Sequence, residues 1–123
     1  MEKILVVDDE APMLDGLLRV SGFEIVFAEN EKQARAVLET QQISIILMDG
    51  NLDPGNDLWG RDVVKRLRSS GYTLLICMFS SDKGMNVEGV EAGADSSFKK
   101  DWNDDEMSER LGEHLKTLMR GSQ

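Results

Sequence analysis

Two short apolar runs that end in carboxylates constrain the fold of this chain more than any other feature. Residues 45–48 are all apolar and lead directly into Asp49, and residues 4–7 are all apolar and lead into Asp8 and Asp9. Runs of this length are typical of strands that are buried on both faces of a parallel sheet. Because open α/β sheets bind their ligands at the carboxyl ends of the strands, these three acids are candidate site residues.

The same three acids predict a metal site if the two strands are neighbours. Asp8, Asp9 and Asp49 would then converge, and three carboxylates so close together repel one another unless a cation lies between them. A hard divalent ion such as Mg²⁺ prefers oxygen ligands and leaves room for water and phosphate oxygens. Simpler interpretations stay open for each residue alone, since acids also favour the first turn of a helix and the turns after strands.

The rest of the chain repeats the pattern of a strand followed by a helix five times. The predicted strands are 4–7, 23–28, 43–48, 73–79 and 96–99. The predicted helices run from the turn at Pro12 for about ten residues, from a cap at Asn30, from a cap at Asp57, over 83–92, and from a capping box formed by Asn103 and Glu106. This alternation predicts an α/β domain over residues 1–120, with a parallel sheet covered by helices on both faces and a tail at 121–123.

Composition excludes several classes of partner. The net charge is −9 and the pI is about 4.5, so the domain is predicted to bind neither nucleic acid nor an anionic membrane surface. The one cysteine, Cys77, lies in an apolar run and is predicted to be a buried thiol, which suits a reducing compartment. We expect a cytoplasmic protein, because there is neither a signal peptide nor an apolar run of the ~18 residues that a membrane span requires.

Four motifs in this order resemble the receiver domain of bacterial two-component response regulators. They are VVDDE at 6–10, LMD at 47–49, MFSS at 78–81, and GAD at 93–95 followed by Lys100. The resemblance covers essentially the whole chain, and it implies the flavodoxin-like strand order 2-1-3-4-5.

The resemblance also implies roles for the candidate metal ligands. Asp9 matches the acid that binds Mg²⁺ directly, and Asp8 matches the neighbour that usually assists through water. Asp49 contributes a carboxylate oxygen, and the backbone carbonyl of Asn51 matches the third protein ligand.

A second set of roles concerns the phosphoryl group. Asp49 matches the aspartate that is phosphorylated, Ser80 the hydroxyl that hydrogen-bonds the phosphoryl group, and Lys100 the lysine that pairs with its oxygens. A carboxylate is a competent nucleophile toward phosphorus, and the transfer depends mainly on positioning and charge neutralisation. Ser80 alone could also be an ordinary helix cap, and His114 is predicted to lie inert on an exposed helix face.

The resemblance implies a switch that takes its phosphoryl group from a sensor histidine kinase or a histidine phosphotransfer protein. Its phosphorylation and dephosphorylation would be self-catalysed, and dimerisation could use the fourth helix, the fifth strand and the last helix.

Two departures favour an alternative, a binding module of the same fold that is not phosphorylated. Asp101 stands where proline usually follows the lysine, so that the 100–101 bond is predicted to be trans, and Ser97 stands at the position of an aromatic switch residue. A phosphatase similar to the haloacid-dehalogenase-like hydrolases is a third hypothesis, although Asn51 stands where their second aspartate is expected.

Overall fold

The computed structural model describes residues 1–53 and 58–121, and the elements in this paragraph are those of the described ranges. The strands are β1 (Glu2–Val7), β2 (Phe23–Ala28), β3 (Ile45–Met48), β4 (Asn51–Asp53), β5 (Leu58–Trp59), β6 (Leu75–Ser80) and β7 (Ser96–Lys99). The helices are α1 (Ala11–Leu17), α2 (Glu31–Thr40), α3 (Gly60–Ser69), α4 (Lys83–Ala92) and α5 (Met107–Gly121). The predicted bounds of β2, α4 and β7 agree with the structure.

Five of the strands form one parallel sheet in the order β2-β1-β3-β6-β7. In terms of the five predicted strands this is the order 2-1-3-4-5, so the predicted fold is confirmed. The central strand, β3, lies between β1 and β6, and all four of its residues are buried. This position explains why β3 is a continuous apolar run rather than an alternating one.

Helices cover both faces of the sheet, as predicted. On one face, side chains such as Leu5, Ile46 and Met78 pack in a cluster with residues of α2 and α3. On the other face, Ile4, Leu47 and Phe79 pack with residues of α1 and α5, including Leu14, Leu111 and Leu115. Within the described ranges, no helix is both long enough and apolar enough to cross a membrane.

The segment from Asp49 to Asn56 is rich in Asp, Asn, Gly and Pro, which predicts a loop, and this prediction is wrong in part. β4 and β5 form a two-stranded antiparallel pair, with Asn51 opposite Trp59. Pairing with β5 compensates for the weak strand propensity of Asn and Asp in β4. The predicted cap, Asp57, lies outside the described residues; α3 begins at Gly60, with Trp59 at the N-cap position.

Helix α1 is shorter than predicted, since it ends at Leu17 and does not continue to Ser21 and Gly22. Leu18 has an extended backbone and is fully buried. The guanidinium of Arg19 donates to the carbonyl oxygens of Asp15 and Leu18, at 2.8 and 2.9 Å. The side chain therefore satisfies the carbonyl of Asp15, which the backbone of a further turn would have used.

Two predictions about α5 are also wrong. Asn103 does not cap it, because the helix begins at Met107; the preceding turn is held by Asp104, whose carboxylate accepts from the Glu106 N–H at 2.9 Å. His114 does not lie on an exposed face. Its Nε2 is 2.6 Å from the Ser96 hydroxyl and its ring lies against Phe98, with 5.6 Å between ring centres. The predicted domain boundary at residue 120 falls in the last turn of α5, and residues 122–123 lie outside the described ranges.

Candidate phosphoryl and metal site

The carboxyl ends of β1 and β3 bring three acids together. Val7 pairs with Met48 across these neighbouring strands, so the residues that follow them meet at one edge of the sheet. One carboxylate oxygen from each of Asp8, Asp9 and Asp49 lies within 4.8 Å of the others. Asp8 and Asp49 are buried, whereas Asp9 is exposed. The cluster is therefore open to solvent on the side of Asp9.

Lys100 supplies positive charge to the buried side of this cluster. Its Nζ lies 2.7 Å from Asp8 Oδ2 and 3.6 Å from Asp49 Oδ1. The ammonium also lies 5.1 Å from the centre of the Phe79 ring. Asp8 is held from a second side, because its Oδ1 accepts from the backbone N–H of Glu10 at 2.8 Å. Lys100 and Asp8 thus form a fixed ion pair directly beside Asp49.

The charge of the cluster is only partly balanced. Burial raises the pKa of Asp49 to about 7, and the charges of Asp8 and Asp9 act in the same direction against Lys100 and a hydrogen bond from the Asn51 backbone N–H. Burial also raises the pKa of Asp9, and the charge of Asp8 adds to this effect, while a hydrogen bond with Asp49 opposes it. Three carboxylates that share one lysine are therefore a site where a further cation would be stabilised.

The residues present suit a hard divalent cation. The three carboxylates that converge here offer oxygen ligands, which Mg²⁺ prefers. Asn51, which begins β4 two residues after Asp49, carries a buried Oδ1 that has no hydrogen-bond partner among the described residues. Such an orphaned acceptor is costly unless a water molecule or an ion satisfies it. The resemblance had pointed to the backbone carbonyl of Asn51; the side-chain oxygen is a further candidate, which the sequence did not indicate.

Ser80 lies at the same edge, at the end of β6. Its side chain is buried, and its Oγ accepts from the Asp82 N–H at 3.1 Å. A Cβ on Gly50, the residue after Asp49, would lie 3.0 Å from Ser80 Oγ and 2.8 Å from the Cβ of Met85. The lack of a side chain at Gly50 therefore lets Ser80 and α4 approach the backbone beside Asp49. The cap of α4 is Asp82, whose Oδ1 accepts from the Met85 N–H, and not Ser80.

Comparison with known proteins identifies the family. The sequence family described as response regulator receiver domain matches residues 4–112. The chain belongs to this family. Among curated proteins, it is similar to the phosphate regulon transcriptional regulatory protein PhoB of Pseudomonas aeruginosa, with 33% identity over 115 residues, which cover 88% of this chain and 49% of that protein. The receiver domain thus spans about half the length of the curated relatives it matches.

Solved structures of receiver domains have the same fold. The N-terminal signal receiver domain of a response regulator from Bacteroides fragilis matches with a TM-score of 0.78 at 22% identity, covering 97% of each chain. The response regulator protein TrrA of Thermotoga maritima, in complex with Mg(2+)-BeF, matches with a TM-score of 0.71 at 26% identity, covering 92% of this chain and 98% of that one.

Sequence reasoning missed one polar residue next to the receiver site. Asn86 of α4 is only 5% exposed, and its amide reaches the backbone at the ends of β6 and β7. An asparagine in a helix is usually taken as part of the solvent face. The signal that could have found it is Gly89, one turn later: a Cβ there would lie 2.4 Å from the Met78 side chain, so this glycine marks the face of α4 that packs against the sheet.

Proposed function

We propose that this receiver domain, residues 1–120, accepts a phosphoryl group on Asp49 from a phosphohistidine of a sensor histidine kinase or a histidine phosphotransfer protein. The observation that carries the proposal is the position of Asp49. It follows the central strand, shares its edge with two more carboxylates, and has a lysine ammonium 3.6 Å from its Oδ1. A phosphoacceptor requires a nucleophilic oxygen surrounded by groups that neutralise the phosphoryl charge.

In the proposed step, a carboxylate oxygen of ionised Asp49 attacks phosphorus. A P–O bond forms as the P–N bond to the donor histidine breaks, and the donor imidazole leaves with the electron pair of that bond. Lys100 is placed to pair with a phosphoryl oxygen once it turns from Asp8 toward Asp49. The Ser80 hydroxyl can donate to another oxygen, because the bond it now accepts, from the Asp82 N–H, leaves its own proton available.

We propose Mg²⁺ as the cofactor, held by Asp9, Asp49 and Asn51, with Asp8 assisting through water. When bound, this ion would neutralise part of the charge on the phosphoryl oxygens. The all-oxygen donor set, the raised pKa values of Asp49 and Asp9 and the orphaned Asn51 Oδ1 support its presence.

The test is incubation with acetyl phosphate and Mg²⁺, followed by the intact mass of the protein. We expect one phosphate adduct in the wild type and none in Asp49→Asn. Asp62→Asn, on the exposed surface of α3, is the matched control and should still form the adduct. An adduct that persists in Asp49→Asn would disprove the assignment. If the wild type forms neither an adduct nor a beryllofluoride complex, the protein is instead a binding module of the same fold.

Dimerisation through α4, β7 and α5 stays a prediction. Val87 and Val90 of α4 are large apolar side chains that are 48% and 39% exposed, which suits a surface that is covered in an assembly. Sedimentation with and without beryllofluoride tests it. A beryllofluoride-dependent dimer that Val90→Glu abolishes would support this surface, and a monomer under both conditions would disprove the prediction.

A further inference from the structure

Asn86 joins α4 to the ends of the two strands that carry the phosphoryl-binding groups. Its Nδ2 donates to the carbonyl oxygen of Ser80 at 3.0 Å and lies 3.5 Å from the carbonyl oxygen of Phe98. β6 ends at Ser80 and β7 ends one residue before Lys100. The amide of Asn86 therefore bridges adjacent strands immediately next to the site.

The carbonyl of Ser80 also connects this amide to the lysine. It accepts from the backbone N–H of Lys100 at 3.0 Å, in addition to the bond from Asn86. The carbonyl group of Ser80 therefore holds α4 and the backbone of Lys100 in fixed positions relative to Ser80 itself. A shift of Asn86 would move the backbone of both Ser80 and Lys100.

The other half of the Asn86 amide is not satisfied. Its Oδ1 is buried and has no hydrogen-bond partner among the described residues. The orientation of the amide follows from its contacts, since both acceptors of Nδ2 are backbone carbonyl oxygens and only the NH₂ can donate to them. Compared with a leucine of similar shape, Asn86 gains one hydrogen bond through Nδ2 but buries an acceptor that no described residue satisfies, and such an acceptor costs at least as much as one bond contributes. The position is therefore not optimised for folding alone.

We infer that Asn86 is a positioning residue, which holds the backbone of Ser80 and Lys100 in the arrangement that phosphoryl transfer to Asp49 requires. This inference rests on the proposed function. Asn86 does not touch the reacting atoms; it acts through the Ser80 carbonyl. Because transfer depends on how well charged groups are placed, a small displacement of Lys100 slows the reaction without removing any group that binds the metal.

The test compares Asn86→Leu with the wild type and with Glu91→Ala, at an exposed residue of the same helix. We expect Asn86→Leu to unfold at the wild-type temperature or above, because the orphaned Oδ1 is gone. Its maximal rate of phosphorylation by acetyl phosphate should fall about tenfold. The midpoint of its Mg²⁺ titration, followed by tryptophan fluorescence, should not change. Asn86→Asp, which puts a carboxylate against two carbonyls, should lose both rate and stability.

A double variant separates positioning from a general structural effect. If Asn86 acts through Lys100, then Asn86→Leu should slow phosphorylation less in a Lys100→Met background than in the wild type. Fully additive effects, a wild-type rate in Asn86→Leu, or a loss of rate that tracks a loss of stability or of Mg²⁺ affinity would each overturn the inference. If the wild type is not phosphorylated on Asp49, the proposed function itself fails, and this inference falls with it.

Discussion

Asp49 and Glu31 are both poorly exposed carboxylates of this receiver domain, but they differ in how many positively charged groups contact them. Glu31, at the start of α2, is 19% exposed and is held by two guanidinium groups. Arg66 Nη2 lies 2.7 Å from Glu31 Oε1, and Arg35 Nε lies 3.1 Å from Oε2. At the other site, the ammonium of Lys100 contacts two carboxylates, Asp8 and Asp49, of a cluster of three.

The two sites shift their acids in opposite directions. Burial opposes the ionisation of Glu31, but the bonds from Arg66 and Arg35 outweigh it and lower its pKa. Burial raises the pKa of Asp49 to about 7; the charge of Lys100 opposes this effect without cancelling it, and the charges of Asp8 and Asp9 add to it. Glu31 with its two arginines carries a net charge of +1, whereas the cluster with Lys100 carries −2 when all its acids are ionised. The deficit of positive charge therefore distinguishes the proposed site for a cation and a phosphoryl group from a structural ion pair.

The largest effect is expected at the one lysine of the cluster. Lys100→Met should slow phosphorylation by acetyl phosphate about 10²–10³-fold, because a preorganised charge is lost. It should also lower the free energy of unfolding by ~3 kcal/mol at pH 8, since Asp8 is 1% exposed and loses its partner. Lys99→Met, at the exposed neighbour, is the control. Urea unfolding that gives the same free energy for both variants would contradict this reading of Lys100.

The next effect is the pH dependence of stability without metal. The pKa of Asp49 is raised in the fold from its ordinary 3.8 to about 7, so the folded protein binds this proton more tightly than the unfolded chain. The stability that the protonated acid contributes is therefore lost as the pH rises through about 7. Asp49→Asn cannot ionise, and its advantage over the wild type should grow by about 2–4 kcal/mol between pH 5 and pH 8. Urea unfolding in EDTA measures this, and an advantage that does not vary with pH would contradict it.

Removing the charge of Asp9, the exposed acid of the cluster, should change the affinity for Mg²⁺ more than the free energy of unfolding. Asp9→Asn should weaken Mg²⁺ binding by at least about tenfold, because a proposed direct ligand loses its charge. Without metal, its free energy of unfolding should equal the wild-type value or exceed it by less than ~1 kcal/mol, since repulsion within the cluster is relieved. Glu10→Gln, at the next acid along the chain, is the control for both measurements. A clear loss of metal-free stability in Asp9→Asn would make Asp9 a structural residue.

Much of the fold could be predicted because short apolar runs and helix caps determine strands and helices locally. The apolar runs before Asp8 and Asp49 indicated β1 and β3 as buried strands, and Asn30 was correctly predicted to cap α2, where its Oδ1 accepts from the Gln33 N–H at 2.9 Å. The bond between Lys100 and Asp101 is trans, as predicted, since the described residues contain no cis peptide.

The errors occurred where tertiary contacts override local preference. Helix α1 ends where Leu18 is buried in a cluster with residues of β1 and α5, and His114 is covered by Ser96 and Phe98, which are distant in sequence. The convergence of Asp8, Asp9 and Asp49 followed from strand order. The ion pair of Lys100 with Asp8 depends on where side chains pack, which no local pattern encodes, and Gly89 was the one local sign of the buried amide of Asn86.

The smallest effect is expected at Glu31, and it decides whether the contrast between the two sites holds. Glu31→Gln should lower the free energy of unfolding by ~1 kcal/mol at pH 7, because its bonds to Arg66 and Arg35 lose their charge assistance. The pKa of Glu31 lies below its ordinary 4.5, so its contribution is fully present above that pH and is lost only as the pH falls below it. The cost of Glu31→Gln should therefore stay constant from pH 5 to pH 8, where the advantage of Asp49→Asn changes. Glu39→Gln, on the exposed side of the same helix, controls for the loss of one acid. The contrast fails if Glu31→Gln alters the phosphate adduct or if its cost varies with pH in this range.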